Sequence, residues 1–376
     1  MAVGLGLAAA LAGAACGRLG FDDQVSPPAD AAAPALTPLA CDLPTSSSGV
    51  ISAMADQVAI AVSDDAVIAM SSDDSKAARV WSYAIAGGSL VAGAANAKLA
   101  EDCTGTLALA PSNGGVLASW SATGGATDLQ QLSVAGAPIG AELGAQDAPA
   151  SSALAASGVD GTLALVTIAN SGEVDAITVD ATGAPIGSSV QLIGPEVGAG
   201  DVELAPAGTG YALTWTDPRP SPNTKQIELL GPDLGVVAGP VTANTDAFDA
   251  ENGQIAWAPT SNTYLSAWQH KNMVGNDEVN IRVFDAQLTP LSTQSLVIAS
   301  NTSDPRIAGN GAGFWLTARG YNPDALIVDQ IGGDGSVTAL APIQVSPLAW
   351  TIGARAGQPV VGWLEQDLMW LDTPCD

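Results

Sequence analysis

The chain has 376 residues, of which 38 are acidic and 11 basic, for a formal net charge of −27. A surface this acidic repels phosphate backbones, which speaks against nucleic acid and favours cations or basic partners. With 42 Gly and 24 Pro to punctuate turns and only 13% charged residues, the composition suits an all-β chain whose solubility rests on Asp, Ser, Thr and Asn.

Residues Ala2 to Ala15 are almost wholly Ala, Gly, Leu and Val. That run is shorter than the roughly 20 residues a membrane-spanning helix needs and has the length of a signal-peptide apolar region. No Lys or Arg precedes Arg18, so the usual basic start is missing. The run ends in Leu11-Ala12-Gly13-Ala14-Ala15-Cys16. This resembles a bacterial lipobox, in which small residues precede a cysteine that becomes the lipidated N-terminus; Gly13 stands where that motif usually has Leu. Ala12-Gly13-Ala14 also fits an ordinary A-x-A cleavage site. Beyond Cys16, Ser26-Pro27-Pro28-Ala29-Asp30 and Ala33-Pro34-Ala35-Leu36-Thr37-Pro38 read as an extended, disordered spacer. The expected organisation is a signal peptide over 1–15, a lipid anchor and Pro/Ala/Asp tether over 16–39, and one repeated domain over 40–376. Asp22 and Asp23 lie beyond the position that commonly decides sorting, which favours export to the outer membrane.

The domain is organised on a frame seen most clearly in three places. Pro111 to Trp120, Pro206 to Trp215 and Pro259 to Trp268 each span nine positions, and each begins Ala-Pro. Met70, Val166, Ala318 and Trp363 extend the frame to seven copies. Ten positions upstream of each stand Ile60, Ala110, Ala156, Ala205, Ala258, Ala308 and Gly353, nearly all small, as an innermost strand requires where repeats converge. Gly136-Ala137-Pro138-Ile139-Gly140 recurs as Gly183-Ala184-Pro185-Ile186-Gly187 and marks the hairpin between third and fourth strands. Four short strands per repeat predict an all-β, seven-bladed β-propeller. The blades fall near 50–100, 101–148, 149–197, 198–246, 247–302, 303–346 and 347–376. The last is one strand short, and Ala40 to Ser46 is expected to complete it, antiparallel beside Leu368 to Leu371. That pairing would bring Cys41 near Cys375, within reach of a disulfide. Spacing alone does not fix connectivity, and Cys41–Cys103 is the rival pair.

Chemistry is sparse. The single histidine, His270, is expected in a surface loop between the second and third strands of the fifth blade. No GxSxG, HExxH, CxxC or Walker A pattern occurs. A propeller glycosidase would need two carboxylates about 5–10 Å apart in the central funnel. Glu203, Asp201 and Asp304 are the candidates near inner-strand starts. Repeated S-x-D-x-G-x-x-W loops of sialidase-like propellers are missing, and Arg219, Arg306, Arg319 and Arg355 are scattered. Solvated turn and capping carboxylates remain the bland alternative. Asp64-Asp65, Ser71-Ser72-Asp73-Asp74 and Asp277-Glu278 are loop oxygen clusters that make calcium the one cofactor worth considering; none has EF-hand spacing. Trp120, Trp215, Trp268 and Trp363 read as core, as do Trp81, Trp257, Trp315, Trp350 and Trp370. No catalytic or metal-binding residue is assigned.

On its signal segment and repeats, the chain resembles bacterial seven-bladed β-propeller lipoproteins, a broad class without a defined activity. The resemblance implies a lipid-anchored propeller of the cell envelope. The function expected is a non-enzymatic binding or scaffold module presenting loops to a protein or glycan, touching the membrane through its anchor alone. A carboxylate-dependent glycoside hydrolase or lyase is the alternative. Mass spectrometry of the mature protein is expected to find lipid on Cys16, and an intact Met1 with its peptide attached would overturn that expectation.

Overall fold

The computed structural model describes residues 45–47 and 57–373, less 73–76, 87–88, 94–96, 102, 123–124, 146–150, 157–160, 170, 246–247, 293–294 and 366–367. At 45–47, 104–105, 145, 151–156, 299 and 368 it describes the backbone only. The described residues contain no helix. They form seven antiparallel sheets that make a seven-bladed β-propeller.

The inner strands are Val58–Val62, Cys103–Ser112, Ser151–Ala156, Gly200–Ala207, Glu251–Ala258, Thr302–Gly309 and Ala349–Arg355. In each blade the chain then steps outward through a second and a third strand. In blade 4 these are Gly210–Asp217 and Thr224–Leu230, with Val236–Thr242 outermost. In blade 1 the outer position is shared by Ser89–Ala92 and Ala97–Ala100, which pair with different stretches of Ala78–Ala86. The two Gly-Ala-Pro-Ile-Gly segments form third-to-outer turns, with Gly136, Gly140, Gly183 and Gly187 all at positive φ.

The hydrophobic core consists of seven wedges, one at each junction between blades. Blades 3 and 4 share the wedge of Val166, Leu213 and Trp215. Blades 1 and 2 share that of Met70 and Trp120, and blades 4 and 5 that of Ile227 and Trp268. Blades 6 and 7 close on Trp315, Trp350 and Trp363. Because successive strand residues face opposite ways, each second strand feeds the wedges on both of its sides. In blade 7, for example, Val361 and Trp363 face blade 6 while Val360 and Leu364 face blade 1.

All seven frame positions are buried, but not on one face. Trp120, Trp215, Trp268, Ala318 and Trp363 point to the preceding blade. Met70 and Val166 point to the following one. The frame is therefore one residue out in blades 1 and 3, and a one-residue slip turns a strand position to the other face. Of the small inner-strand residues, Ala110, Ala205 and Ala258 are buried. A Cβ on Gly353 would fall 2.4 Å from Val62 Cγ2, so blades 7 and 1 approach too closely there for alanine.

The ring closes as the count of strands requires. Thr45–Ser47 adds to the edge of Leu368–Asp372, pairing Thr45 with Leu371, Ser46 with Trp370 and Ser47 with Met369. The strand expected over Ala40 to Ser46 is thus found at its C-terminal end; the rest of that stretch lies outside the described residues. Arg355 reinforces the same junction, donating from Nε and Nη2 to the Asp64 carbonyl of blade 1 at 2.9 and 2.7 Å. Cys16, Cys41 and Cys375 lie outside the described residues, whereas Cys103 is buried in the wedge between blades 1 and 2. Non-reducing peptide mapping is expected to recover a Cys41–Cys375 cross-link; a Cys41–Cys103 peptide, or two alkylatable thiols at 41 and 375, would overturn it.

Candidate functional site

The inner strands converge on a central cavity of about 500 Å³, lined, among the described side chains, by residues of blades 1, 2, 4, 5, 6 and 7. Its wall is divided. Val58 to Ile60, Leu107 to Leu109 and Leu348 to Trp350 from blades 1, 2 and 7 are chiefly apolar. Glu203, Gln254, Asp304 and Arg306 from blades 4, 5 and 6 are polar or charged.

The polar half has a local backbone cause. Asp201, Asn252 and Asp304 sit at φ 46°, 48° and 49°. Immediately after each, the register between inner and second strand shifts, from Gly200 to Glu203, Glu251 to Gln254 and Ser303 to Arg306. These are β-bulges, which bend a strand and re-aim its side chains. Asp and Asn tolerate the left-handed conformation better than most residues. Two positions beyond each left-handed residue stand Glu203, Gln254 and Arg306, which face the cavity.

A belt of hydrogen bonds joins the three bulges. Asn252 donates from its backbone N to Asp201 Oδ2 (3.1 Å) and from Nδ2 to Asp304 Oδ1 (2.5 Å). Gln269 Oε1 accepts from Asn252 Nδ2 (3.2 Å) and from the Asp304 backbone N (3.0 Å). Thr216 Oγ1 donates to Asp201 Oδ2 at 3.0 Å, Ser303 Oγ to Asp304 Oδ2 at 3.1 Å, and Trp350 Nε1 to the Asp304 carbonyl at 3.2 Å. Behind the belt lies Lys225, fully buried, donating from Nζ to the Asp201 carbonyl (2.9 Å) and to Thr216 Oγ1 (3.1 Å). Its stem crosses blade 5 at Gly253, where a Cβ would fall 1.7 Å from Lys225 Cε. Burial pushes the Lys225 amine down to about 8, although the charges of Asp201 and Glu203 favour the ammonium.

Of the three carboxylates singled out from sequence, the cavity receives Glu203 and Asp304. Asp304 is held by the belt through both oxygens, and Asp201 by Thr216 and Asn252. Glu203, half-buried in the cavity wall, accepts one hydrogen bond from Gln254 Nε2 at 3.0 Å, whereas Asp201 is exposed and outside the lining. Burial raises its pKa, against the opposing charges of Arg306 and Lys225 and the Gln254 hydrogen bond. The four arginines are engaged separately. Arg219 pairs with Asp217 at 2.7 Å, Arg319 with Asp324 at 3.4 Å, Arg355 holds the closure, and Arg306 faces the cavity.

His270 corrects the sequence expectation. It lies inside the second strand of blade 5, Thr263–Lys271, and is buried. Asn280 Nδ2 stands 3.2 Å from Nδ1, and Glu278 Oε2 stands 3.3 Å from Nε2. With the amide donating, Nδ1 accepts and Nε2 carries the proton toward Glu278. The ring packs on Phe248 at 4.9 Å. Both ring nitrogens are engaged within the blade, so His270 is a packing residue. Glu278 itself accepts from Asn272 Nδ2 (2.6 Å) and Ser300 Oγ (3.1 Å). Burial would raise its pKa, but these hydrogen bonds and that from His270 hold it below the ordinary value.

Among the described residues no group of three or more His, Cys, Asp or Glu is placed to hold a metal. Asp73 and Asp74 of the proposed calcium loops lie outside them. The tryptophans are packing groups, though Trp350 also lines the cavity and Trp257 and Trp370 are only half-buried.

The bulges carried a sequence signal that alternation alone does not read. Asp201-Val202-Glu203, Asn252-Gly253-Gln254 and Asp304-Pro305-Arg306 occupy one register, with an Asp or Asn two residues before the cavity-facing side chain.

No known protein family matches this chain, and no curated protein does. Among solved structures it is similar to the Cps50 (Swd1) β-propeller domain of Myceliophteria thermophila, with 11% identity over 89% of this chain and 100% of that one, at a TM-score of 0.53. It is also similar to the Dos1 propeller, with 13% identity over 86% of this chain and 92% of that one, at a TM-score of 0.48. At such identities the likeness concerns the fold. The class is a seven-bladed β-propeller, and its function has to be argued from its own residues.

Outside the cavity, one buried acid has a measurable consequence. Asp329, on the third strand of blade 6, is buried, and its Oδ1 has no hydrogen-bond partner. Burial pushes its carboxyl up to about 6 from 3.8. The native state therefore holds its proton where the unfolded state has lost it, and stability falls as pH rises from about 4 to about 6. At the ordinary conversion this is worth up to about 3 kcal/mol. Asp329→Asn is expected to stabilise the protein at pH 7 relative to its effect at pH 4 by about 2–3 kcal/mol, read from denaturant midpoints. An equal effect at both pH values would refute it.

Proposed function

We propose that this chain is a non-enzymatic binding and scaffold propeller of the cell envelope, exported, lipid-anchored through Cys16 to the outer membrane, and presenting loops to a protein or glycan partner. The observation that carries this reading is the end of the ring at which the cavity lies. Inner strands begin there, so the loops between second and third strands of blades 4, 5 and 6 stand at that same end, around the polar half of the wall.

Those loops are held in shape by their own contacts. The Asp217 carboxylate accepts from the Arg219 backbone N (3.0 Å) and pairs with its guanidinium. Asn272 Oδ1 accepts from the backbone N of Val274 (3.1 Å) and Asn276 (3.0 Å). Tyr321 Oη and Ser303 Oγ lie 2.7 Å apart, with Arg319 over the Tyr321 ring. A surface already ordered loses less entropy on binding. At the tip of the blade 5 loop, Met273 and Val274 are 90% and 79% exposed. Their environment gives them no packing role, which suits contact with a partner.

The hydrolase alternative has one specific observation in its favour, the burial-raised pKa of Glu203, which would suit a general acid. It needs a second carboxylate, and the belt holds Asp304 through both oxygens while Asp201 lies outside the cavity lining. The experiment is a pull-down and glycan-binding screen with the mature protein. Met273→Asp with Val274→Asp is expected to abolish capture while leaving the thermal midpoint unchanged. Glycan cleavage that disappears in Glu203→Gln would overturn the non-enzymatic reading.

A further inference from the structure

The cavity wall holds a carboxylate and a guanidinium that are close but not joined. Arg306 is near enough for its charge to act on the Glu203 carboxyl. Yet among the described residues neither takes part in an ion pair. Arg306 donates one hydrogen bond, from Nη1 to the neighbouring Pro305 carbonyl at 3.1 Å, and Glu203 accepts one, from Gln254. A guanidinium has five N–H donors and a carboxylate about four acceptor sites. Most of both sets are thus unused by the protein, and both groups are half-buried in the cavity wall. Leu107, Leu109 and Trp350 also line the cavity.

We infer that the cavity is a binding site for a small apolar zwitterion of the α-amino-acid type, its carboxylate on Arg306, its ammonium on Glu203 and Gln254, and its side chain against Leu107, Leu109 and Trp350. The charges select this class. A lone cation would satisfy Glu203 but face Arg306, with Lys225 behind the wall; a lone anion would satisfy Arg306 but face Glu203 and Asp304. Each would leave one half-buried charge of the wall without a partner from the ligand. A zwitterion offers both charges on one carbon, opposite in sense to the wall. Arg306 can take a carboxylate by two parallel hydrogen bonds, which Lys cannot. The belt fixes the spacing of the two groups, because Asp201, Asn252 and Asp304 are tied to one another. The cavity volume lies within the range usual for small-ligand sites.

This inference rests on reading the cavity as a binding site, and the experiment separates the two. Calorimetry on the full mature protein would use L-phenylalanine and L-leucine, with phenethylamine, 3-phenylpropionate and glucose as single-feature comparisons. One equivalent of phenylalanine or leucine is expected to bind, at least tenfold more tightly than the amine, the acid or the sugar. Glu203→Gln and Arg306→Gln are each expected to weaken binding at least tenfold, and Arg306→Lys by less. Arg219→Gln, on the rim, is expected to leave it unchanged. Circular dichroism melts confirm that each variant folds. Binding of the amine or acid as tight as that of the amino acid would overturn the inference, as would no binding by any of the five. Binding of glucose, with cleavage of an aryl glucoside, would overturn both this inference and the non-enzymatic reading.

Discussion

No blade of this protein has a core of its own. Each sheet is apolar on both faces and buries them only against its neighbours, so the seven wedges exist only when the ring is complete. The junction between blades 7 and 1 is therefore the one on which all others depend. It combines the wedge of Trp81, Tyr83, Val360 and Met369 with the added strand Thr45–Ser47 and the Arg355 clamp on Asp64. The main-chain hydrogen bonds of the added strand make the two ends of the sequence one sheet. A ring closed this way cannot lose its last blade without exposing two apolar faces and an unpaired edge.

Closure also explains where irregularity is tolerated. Inner strands crowd the axis, and positions such as Gly353 admit no side chain. The bulges at Asp201, Asn252 and Asp304 bend the inner strands of three adjacent blades. Left-handed backbone at a non-glycine residue is unfavourable by about 1–3 kcal/mol. The belt through Asn252 and Gln269, with Lys225 behind it, holds the conformation in place. The same groups that stabilise the bulges also occupy Asp201 and Asp304. Asp304 is held through both oxygens and Asp201 through Oδ2, so of the two acids lining the cavity Glu203 has the fewer partners.

Much of the fold was legible in the sequence because a repeat states its own rule several times. Three Pro-to-Trp frames fixed the period, and a missing strand in the last blade pointed back to the N-terminal stretch. At Met70 and Val166, spacing alone left an error of one residue, enough to turn the side chain to the other wedge. His270 was misplaced for a different reason. Its environment is created by cross-strand register, which sets His270 opposite Glu278 and draws in Asn280. A polar stretch at the end of a strand looks like a loop until that pairing is known. The cavity was the least legible part. Glu203 could be placed on an inner strand, but Arg306 and Gln254 carry no mark of facing it until the bulges are recognised as equivalent.

Seven similar blades around an axis would give a channel with similar walls on every side, and such a channel has no means of orienting a ligand. Here the repeat is broken in one arc. Blades 4, 5 and 6 share a bulge but differ in the side chain that the bulge turns to the axis: an acid, an amide and a base, in that order around the ring. Described side chains of blades 1, 2 and 7 facing the same space are chiefly apolar. The protein as a whole carries −27, yet at its axis Glu203 and Asp304 meet Arg306, with Lys225 behind. Near-balance of charge inside an acidic shell has a physical consequence. The shell repels simple anions at long range and attracts cations without discrimination, while the cavity itself rewards neither. Selectivity is left to short-range groups whose positions the bulges set, so the departure from repeat symmetry that strains the backbone also gives the axis a direction.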